Sequence, residues 1–457
     1  MTAASPNEPG AASVAPAEKR VPGPRFRELD GLRGLAALAV VFSHYTGAHN
    51  SHYPQDPAAF HDAAWGAAGV QLFFIISGFV IFMSARRADR PSDFAISRAA
   101  RLYPPYWISL VFAVVLLLLH PVPGFPFTWG QALANLTMVQ RWVGVDNVVD
   151  VYWTLAVEMQ FYVIILVLLY LTRCRLSDRV VLWGSIAWSV ISWGVVSFTA
   201  PHVGSDPQRD PLWVKLLNNA TVAEYAPLFV LGMALYIARQ TGRHRGWVAA
   251  AAVSAVGSTF VMRGMPLALE VLVVVLLAVT VMLRERTSVL LLAPVQWYGK
   301  ISYSLYILHA IPGYIIIHAL WPYVGRNMAM LVALAVVSVL AWALQKYGEE
   351  HLGRAAQAAA LLLGVHAHGV DLAQVGGALA ARVHLGPVEA HHPVRVLGGH
   401  RQEETGGVEP GLALALLLRV ASGGVDEVMA DQIVRDLATG VIVPLAALLV
   451  AVNGIGN

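Results

Sequence analysis

The feature that most limits this chain is a succession of apolar runs, each close to the length a helix needs to cross hydrocarbon, separated by short polar loops. Ten runs are readable, at roughly 31–48, 65–84, 105–120, 151–171, 180–199, 222–239, 246–262, 265–284, 300–320 and 328–347. Inside a bilayer every backbone N–H and C=O must find an internal partner, which leaves helices and closed barrels. These runs are continuous, whereas barrel strands alternate, so they predict helices. The expected fold is all-α: a polytopic protein of the cell membrane with about ten transmembrane helices. Composition agrees, with 13% charged residues where soluble domains carry about 25%. A soluble enzyme and a disordered chain are both excluded. A net charge of +3 gives no reason to expect a nucleic-acid partner.

The scarce charges orient the bundle. With the N-terminus in the cytoplasm, the segments assigned to that side hold twenty Lys and Arg, from Lys19 through Arg101, Arg173 and Arg245 to Lys346. The opposite side holds five: Arg141, Arg209, Lys215, Arg263 and Arg326. That asymmetry follows the positive-inside rule through all ten runs, and a missed run would scramble it.

Residues 1–25 are rich in Ala, Pro and Glu without an apolar block and read as a disordered lead-in. Residues 26–350 form the membrane domain. Residues 351–457 hold none of the 43 aromatics and no Lys. This low-aromatic extension reads as loosely ordered, since aromatic side chains supply much of a core's buried area. An accessory domain and a shifted reading frame near residue 350 stay open for it.

Few polar residues interrupt the apolar runs, and those few are candidates for function. Arg33 and His44 stand eleven residues apart on the first run, about three turns or 16 Å, and close to one face. An imidazole titrates near neutral pH and is the usual general base, although a histidine packed at the water interface reads equally well. Glu158 lies within an apolar run, where a carboxylate needs a cavity or a partner; it either orients His44 or pairs with a buried arginine. Arg98 and Arg101 are three residues apart and share a helix face, suited to phosphate or to lipid headgroups. Asp30 reads equally well as a cavity-lining residue and as a cap on the first helix. The single Cys174 excludes an internal disulfide and a cysteine metal cluster, and no metal motif is expected.

Five stretches resemble, in order, the membrane acyltransferase 3 family. They are Asp30-Gly31-Leu32-Arg33-Gly34 with His44; Val70-Gln71-Leu72-Phe73-Phe74 through Gly78-Phe79; and Arg98 and Arg101 with Leu102-Tyr103-Pro104. Tyr152-Trp153-Thr154-Leu155 with Glu158, Phe161 and Tyr162, then Gly299-Lys300-Ile301-Ser302-Tyr303 with Tyr306 and His309, complete the set. Gln71 stands where the family often has an acidic residue, and Thr154 where it usually has Ser.

The resemblance implies transfer of an acyl group, commonly acetyl, from acyl-CoA to a hydroxyl of a sugar, polysaccharide, peptidoglycan or small natural product. It implies His44 as general base, with Glu158 as its catalytic companion. Arg33, Arg98 and Arg101 would bind the donor. Ser302, Tyr303 and His309 line the same cavity or hold helices together, the second being preferred. Acyl-CoA is then a co-substrate, and no permanently bound cofactor is expected. The rival readings are an exporter of a glycan precursor and an inactive scaffold. No pair of similar halves is apparent, which argues against the exporter.

Overall fold

The computed structural model describes residues 26–204, 210–284 and 288–357, and among them every regular element is a helix. The long helices, in chain order, are α1 (Arg27–Ser43), α2 (Gly69–Ala85), α3 (Pro91–Leu119), α4 (Trp153–Leu171), α5 (Asp178–Thr199) and α6 (Leu212–Thr221). There follow α7 (Ala226–Thr241), α8 (Arg245–Arg263), α9 (Met265–Leu283), α10 (Ala293–Leu308), α11 (Ala310–Val324) and α12 (Arg326–Leu344). The lead-in 1–25 and the extension beyond residue 357 lie outside the described residues.

Among the described residues eight helical segments are long and apolar enough to cross a bilayer, and a ninth if α10 and α11 count as one bent span. The first run is the one of the ten that falls short. It carries Asp30 and Arg33 and ends in the polar stretch His44–His52. Its sides are covered instead by neighbouring helices, with Leu32, Ala37, Val40 and Val41 at 0–1% exposure. The ninth run is not a single helix. It breaks at His309, and α10 and α11 meet at 78°. Pro312 accounts for the break, because its ring would strike the Leu308 carbonyl in a continuous helix.

Helix ends elsewhere follow local chemistry. Gly242, Gly264 and Gly325 take positive φ (67°, 84° and 81°) at helix boundaries, a conformation that glycine adopts without strain. Ser177 caps α5 by accepting from the Val180 amide.

Glycines also set the helix spacing. A Cβ on Gly232 of α7 would lie 2.1 Å from the Ile75 carbonyl oxygen of α2, and one on Gly78 would lie 2.3 Å from the Phe229 carbonyl oxygen. α1 is held the same way on two sides. A Cβ on Gly299 of α10 would lie 2.1 Å from the Asp30 carbonyl oxygen, and one on Gly69 of α2 would lie 2.6 Å from that of Ala36. Backbones this close need small residues, the usual device of helix packing in lipid. Around this core, Phe161 stacks on Phe229 at 4.2 Å and Phe79 meets Tyr236 edge-on at 5.3 Å. The span containing α7 is 78% buried and the one containing α5 only 22%, so α7 is central and α5 faces lipid.

Replacing Gly232 by Ala is expected to lower stability by about 1–3 kcal/mol, the usual penalty for overpacking. Gly184→Ala is the control, since nothing lies within 4 Å of its added Cβ. Thermal unfolding of the two variants in detergent checks this: equal melting temperatures would remove the glycine contact as the spacing device.

Candidate active site

The helix break supplies the first half of the site. α10 stops at Leu308, so its last carbonyls have no following turn to satisfy them. The Tyr306 carbonyl accepts from His309 Nδ1 at 2.8 Å, and the Ile307 carbonyl from the Ser109 hydroxyl at 2.9 Å. The His309 carbonyl accepts from the Tyr45 hydroxyl at 3.1 Å. A carbonyl only accepts, so Nδ1 of His309 carries a proton, and in the neutral ring Nε2 is then an acceptor.

Nδ1 of His44 lies 2.7 Å from that Nε2, with the rings stacked at 4.9 Å. The roles along the chain follow without further choice. His44 Nδ1–H donates to His309 Nε2, and Nε2 of His44 holds its lone pair uncommitted. His309 is wholly buried, whereas His44 keeps some exposed surface. His44 opens a π-helical turn, His44–Ala48, that widens the end of α1. Such turns often mark functional positions, because they re-aim one side chain. The segment after it is anchored by buried Asp56, which accepts from His49 Nε2 and from His318 Nδ1 of α11, each at 2.9 Å.

The second half of the site is a cavity of about 60 Å³ lined by Arg33, Arg98, Arg101, Glu158, Tyr303 and Tyr306, among others. Helix α2 supplies one wall, from Val70 to Ile81, and α1, α3, α4 and α10 supply the polar side chains opposite. Glu158 accepts from Tyr162 at 2.7 Å, and the Ser77 hydroxyl lies 3.4 Å away. Arg98 donates to Ser84 and packs over the Phe94 ring at 5.7 Å, but its buried Nε has no partner. Glu349, in the π-helical stretch that follows α12, accepts from Ser304 at 2.7 Å and stands within electrostatic reach of Arg33 and Arg101. Three guanidinium groups and one carboxylate, Glu158, thus line the cavity, with Glu349 and Asp30 both within electrostatic reach of Arg33. The positive excess of the lining suits an anionic ligand, since a charge inside a bundle needs a counter-charge.

Cavity and histidine pair are joined through Tyr306. Its ring lines the cavity, sits 5.9 Å from the His309 ring, and its hydroxyl lies 2.9 Å from Thr154 Oγ1.

The arrangement sorts the expected residues. Arg33, Arg98, Arg101 and Glu158 share one cavity. Glu158 accepts from Tyr162, lies beside the Ser77 hydroxyl and stands within electrostatic reach of Arg33, Arg98 and Arg101. Asp30 does not cap α1: the cap position is Phe26, and Asp30 lies within the helix, its carbonyl against Gly299. Ser302 donates to its own helix at the Gly299 carbonyl and does not line the cavity. Tyr303 does both jobs, lining the cavity and donating to the Leu102 carbonyl of α3 at 3.0 Å. His309 is more than a cavity wall, because it is the direct partner of His44.

Tyr162 and Tyr306 entered the sequence reading only as part of the family resemblance, with no role assigned, and Glu349 was not singled out. Tyr162 stands four residues after Glu158, and Glu349 two residues past the last apolar run.

A family profile described as an acyltransferase domain matches residues 26–345, which contain every helix that builds this site. Similar proteins include acyltransferase MdmB of Streptomyces mycarofaciens, 31% identical over 30% of this chain and 38% of that protein. Exopolysaccharide production protein ExoZ of Rhizobium meliloti (strain 1021) is 36% identical over 25% of this chain and 37% of its own length. Peptidoglycan O-acetyltransferase OatA of Listeria monocytogenes is 27% identical over 30% of this chain and 23% of its own. The chain therefore spans well under half the length of these curated relatives. No solved structure matches it. On the profile match over most of its described length, the chain belongs to the acyltransferase 3 family of multi-pass membrane proteins.

Proposed function

We propose that this protein is an O-acyltransferase that takes an acyl group, acetyl in the simplest case, from a CoA thioester and passes it to a hydroxyl of a sugar, polysaccharide or small natural product. The observation that carries this reading is the histidine pair, in which His309 holds His44 in the tautomer that leaves Nε2 basic. A thioester needs no acid to activate its leaving group, but an alcohol must lose a proton as it attacks.

In this reading the acceptor hydroxyl gives its proton to His44 Nε2 as its oxygen bonds to the thioester carbonyl carbon. The tetrahedral oxyanion then collapses, the carbon–sulfur bond breaks, and the imidazolium returns the proton to the CoA thiolate. His309 keeps the imidazolium oriented throughout, through the same Nδ1–H hydrogen bond.

Arg33, Arg98 and Arg101 would hold the anionic part of the donor, guanidinium being the side chain best matched to phosphate. A cavity of about 60 Å³ has room for a phosphate-sized group and not a nucleotide, so the adenosine of CoA would lie at the mouth of the bundle. The arginine end faces the cytoplasm if the charge asymmetry sets the orientation, and His44 then lies toward the outer half of the membrane. The exporter reading is not favoured, since membership of an acyltransferase family gives it nothing.

Acyl transfer by purified protein, followed by mass spectrometry of the acceptor, tests the base. His44→Ala is expected to lower the rate by about 10²–10⁴-fold, the usual worth of a general base. His309→Gln retains an acceptor for His44 Nδ1–H and should stay well above His309→Leu; equal loss in both would remove the positioning role. Arg33→Gln and Arg101→Gln are expected to raise KM for the donor by about tenfold or more while kcat changes less, each charge-assisted contact being worth about 1.5–3 kcal/mol. An unchanged donor KM would show that these arginines serve the fold alone.

A further inference from the structure

A second cavity, about 480 Å³, has no part in the proposed donor site. It is walled by the 141–150 loop, the first turns of α4, α6, the start of α7 and the end of α8. Helix α4 separates the two cavities. Thr154, Leu155 and Glu158 face the arginines, while Trp153, Val157 and Gln160 face the larger space. The volume lies in the range typical of small-molecule sites.

Its chemistry differs from that of the first cavity. Arg141, Lys215 and Arg263 bring three positive charges, and Asp146, Asp150, Asp210 and Glu224 bring four negative ones. Arg263 is taken up by a two-bonded pair with Glu224, both contacts at 2.8 Å, and Arg141 lies over the Trp153 ring at 5.7 Å. The lining therefore has an excess of negative charge where the donor cavity has an excess of positive. A phosphorylated or carboxylated ligand is disfavoured here, and the donor is steered to the other side of α4.

What remains is a polar surface around an aromatic pair. Trp153 and Tyr225 sit with ring centroids 5.3 Å apart, and both keep exposed surface. Gln160 and Asn219 spend their amide N–H groups on the Asn219 and Arg141 carbonyls, which leaves their amide oxygens as acceptors. Apolar ring faces for C–H groups, beside acceptors and carboxylates for hydroxyls, are the recognition chemistry of an uncharged sugar.

The cavity shares no lining residue with the histidine pair but is linked to it through intermediate side chains. Trp153 precedes Thr154, whose hydroxyl meets Tyr306, the neighbour of His309. Asp150 at the rim and His44 are both within electrostatic reach of His52. We infer that this cavity is a saccharide site, holding an uncharged glycosyl unit whose hydroxyl is presented past Asp150 toward His44. The binding stands on the cavity alone; its role as acceptor site rests on the acyl-transfer reading.

Saturation-transfer NMR on the full chain in lipid nanodiscs, without donor, tests the binding with cellobiose and glucuronic acid as probes. Wild-type protein is expected to bind cellobiose in preference to glucuronic acid. Trp153→Leu should weaken cellobiose at least about tenfold, as truncating a central anchor does. Because Trp153 also packs against Phe74, a second variant changes only exposed rim groups: Asp146→Asn with Asp150→Asn should shift the preference toward glucuronic acid. Stronger binding of glucuronic acid by wild type, or both variants behaving as wild type, overturns the saccharide site. Cellobiose binding with no acyl transfer to any acceptor would overturn the acyl-transfer reading and leave the site standing.

Discussion

The site depends on one broken helix. Pro312 forbids α10 from continuing, and the carbonyls left at its end become the acceptors that organise the centre of the bundle. One of them fixes the proton on His309 Nδ1, and that proton decides which nitrogen of His44 is basic. The others tie α3 and the turn after α1 to the same point, through Ser109 and Tyr45. In a bilayer an unsatisfied carbonyl has no water to turn to, so a break of this kind persists only where side chains meet it. Here those side chains include the histidine pair on which the proposed chemistry rests.

Glycine contacts give the break its precision. α1 carries both Arg33 and His44, and it is seated by close backbone approaches to α10 at Gly299 and to α2 at Gly69. A side chain at either place would push α1 outward and move the arginine and the histidine together. The contacts across α2 and α7 at Gly78 and Gly232 hold the opposite wall. Small residues thus do for the membrane bundle what interlocking aliphatics do for a soluble core. The polar groups they bring together differ on the two sides of α4. An excess of positive charge lines one cavity and an excess of negative charge the other, so one helix divides two chemically different cavities.

Much of this was readable from residues. Apolar runs separated by short loops predict an all-helical membrane protein, since only internally bonded backbone tolerates hydrocarbon. The polar residues on or just before those runs, Arg33, His44, Arg98, Arg101 and Glu158, are brought to the interior of the bundle. Other features escaped a reading of runs and spacing. The 300–320 run looks like one span because hydropathy does not register a bend, although Pro312 was there to signal it. Asp30 looks like a cap because its spacing suits one, but α1 begins earlier, at Arg27. Glu349 stands just past the last apolar run, where hydropathy gives no signal, yet the π-helical stretch after α12 carries it back to Ser304.

By itself the sequence determined the solvent, the class of fold and the short list of polar residues, because each follows from the local energetics of burying charge and backbone in lipid. Tertiary structure alone decided which of those residues meet. His44 and His309 are 265 positions apart, and no local pattern reports a hydrogen bond between the ends of two helices. It also decided that Glu158 belongs with arginines and that α4 separates two cavities. Such pairings depend on how whole helices pack, and packing is set by contacts at residues distant in the chain.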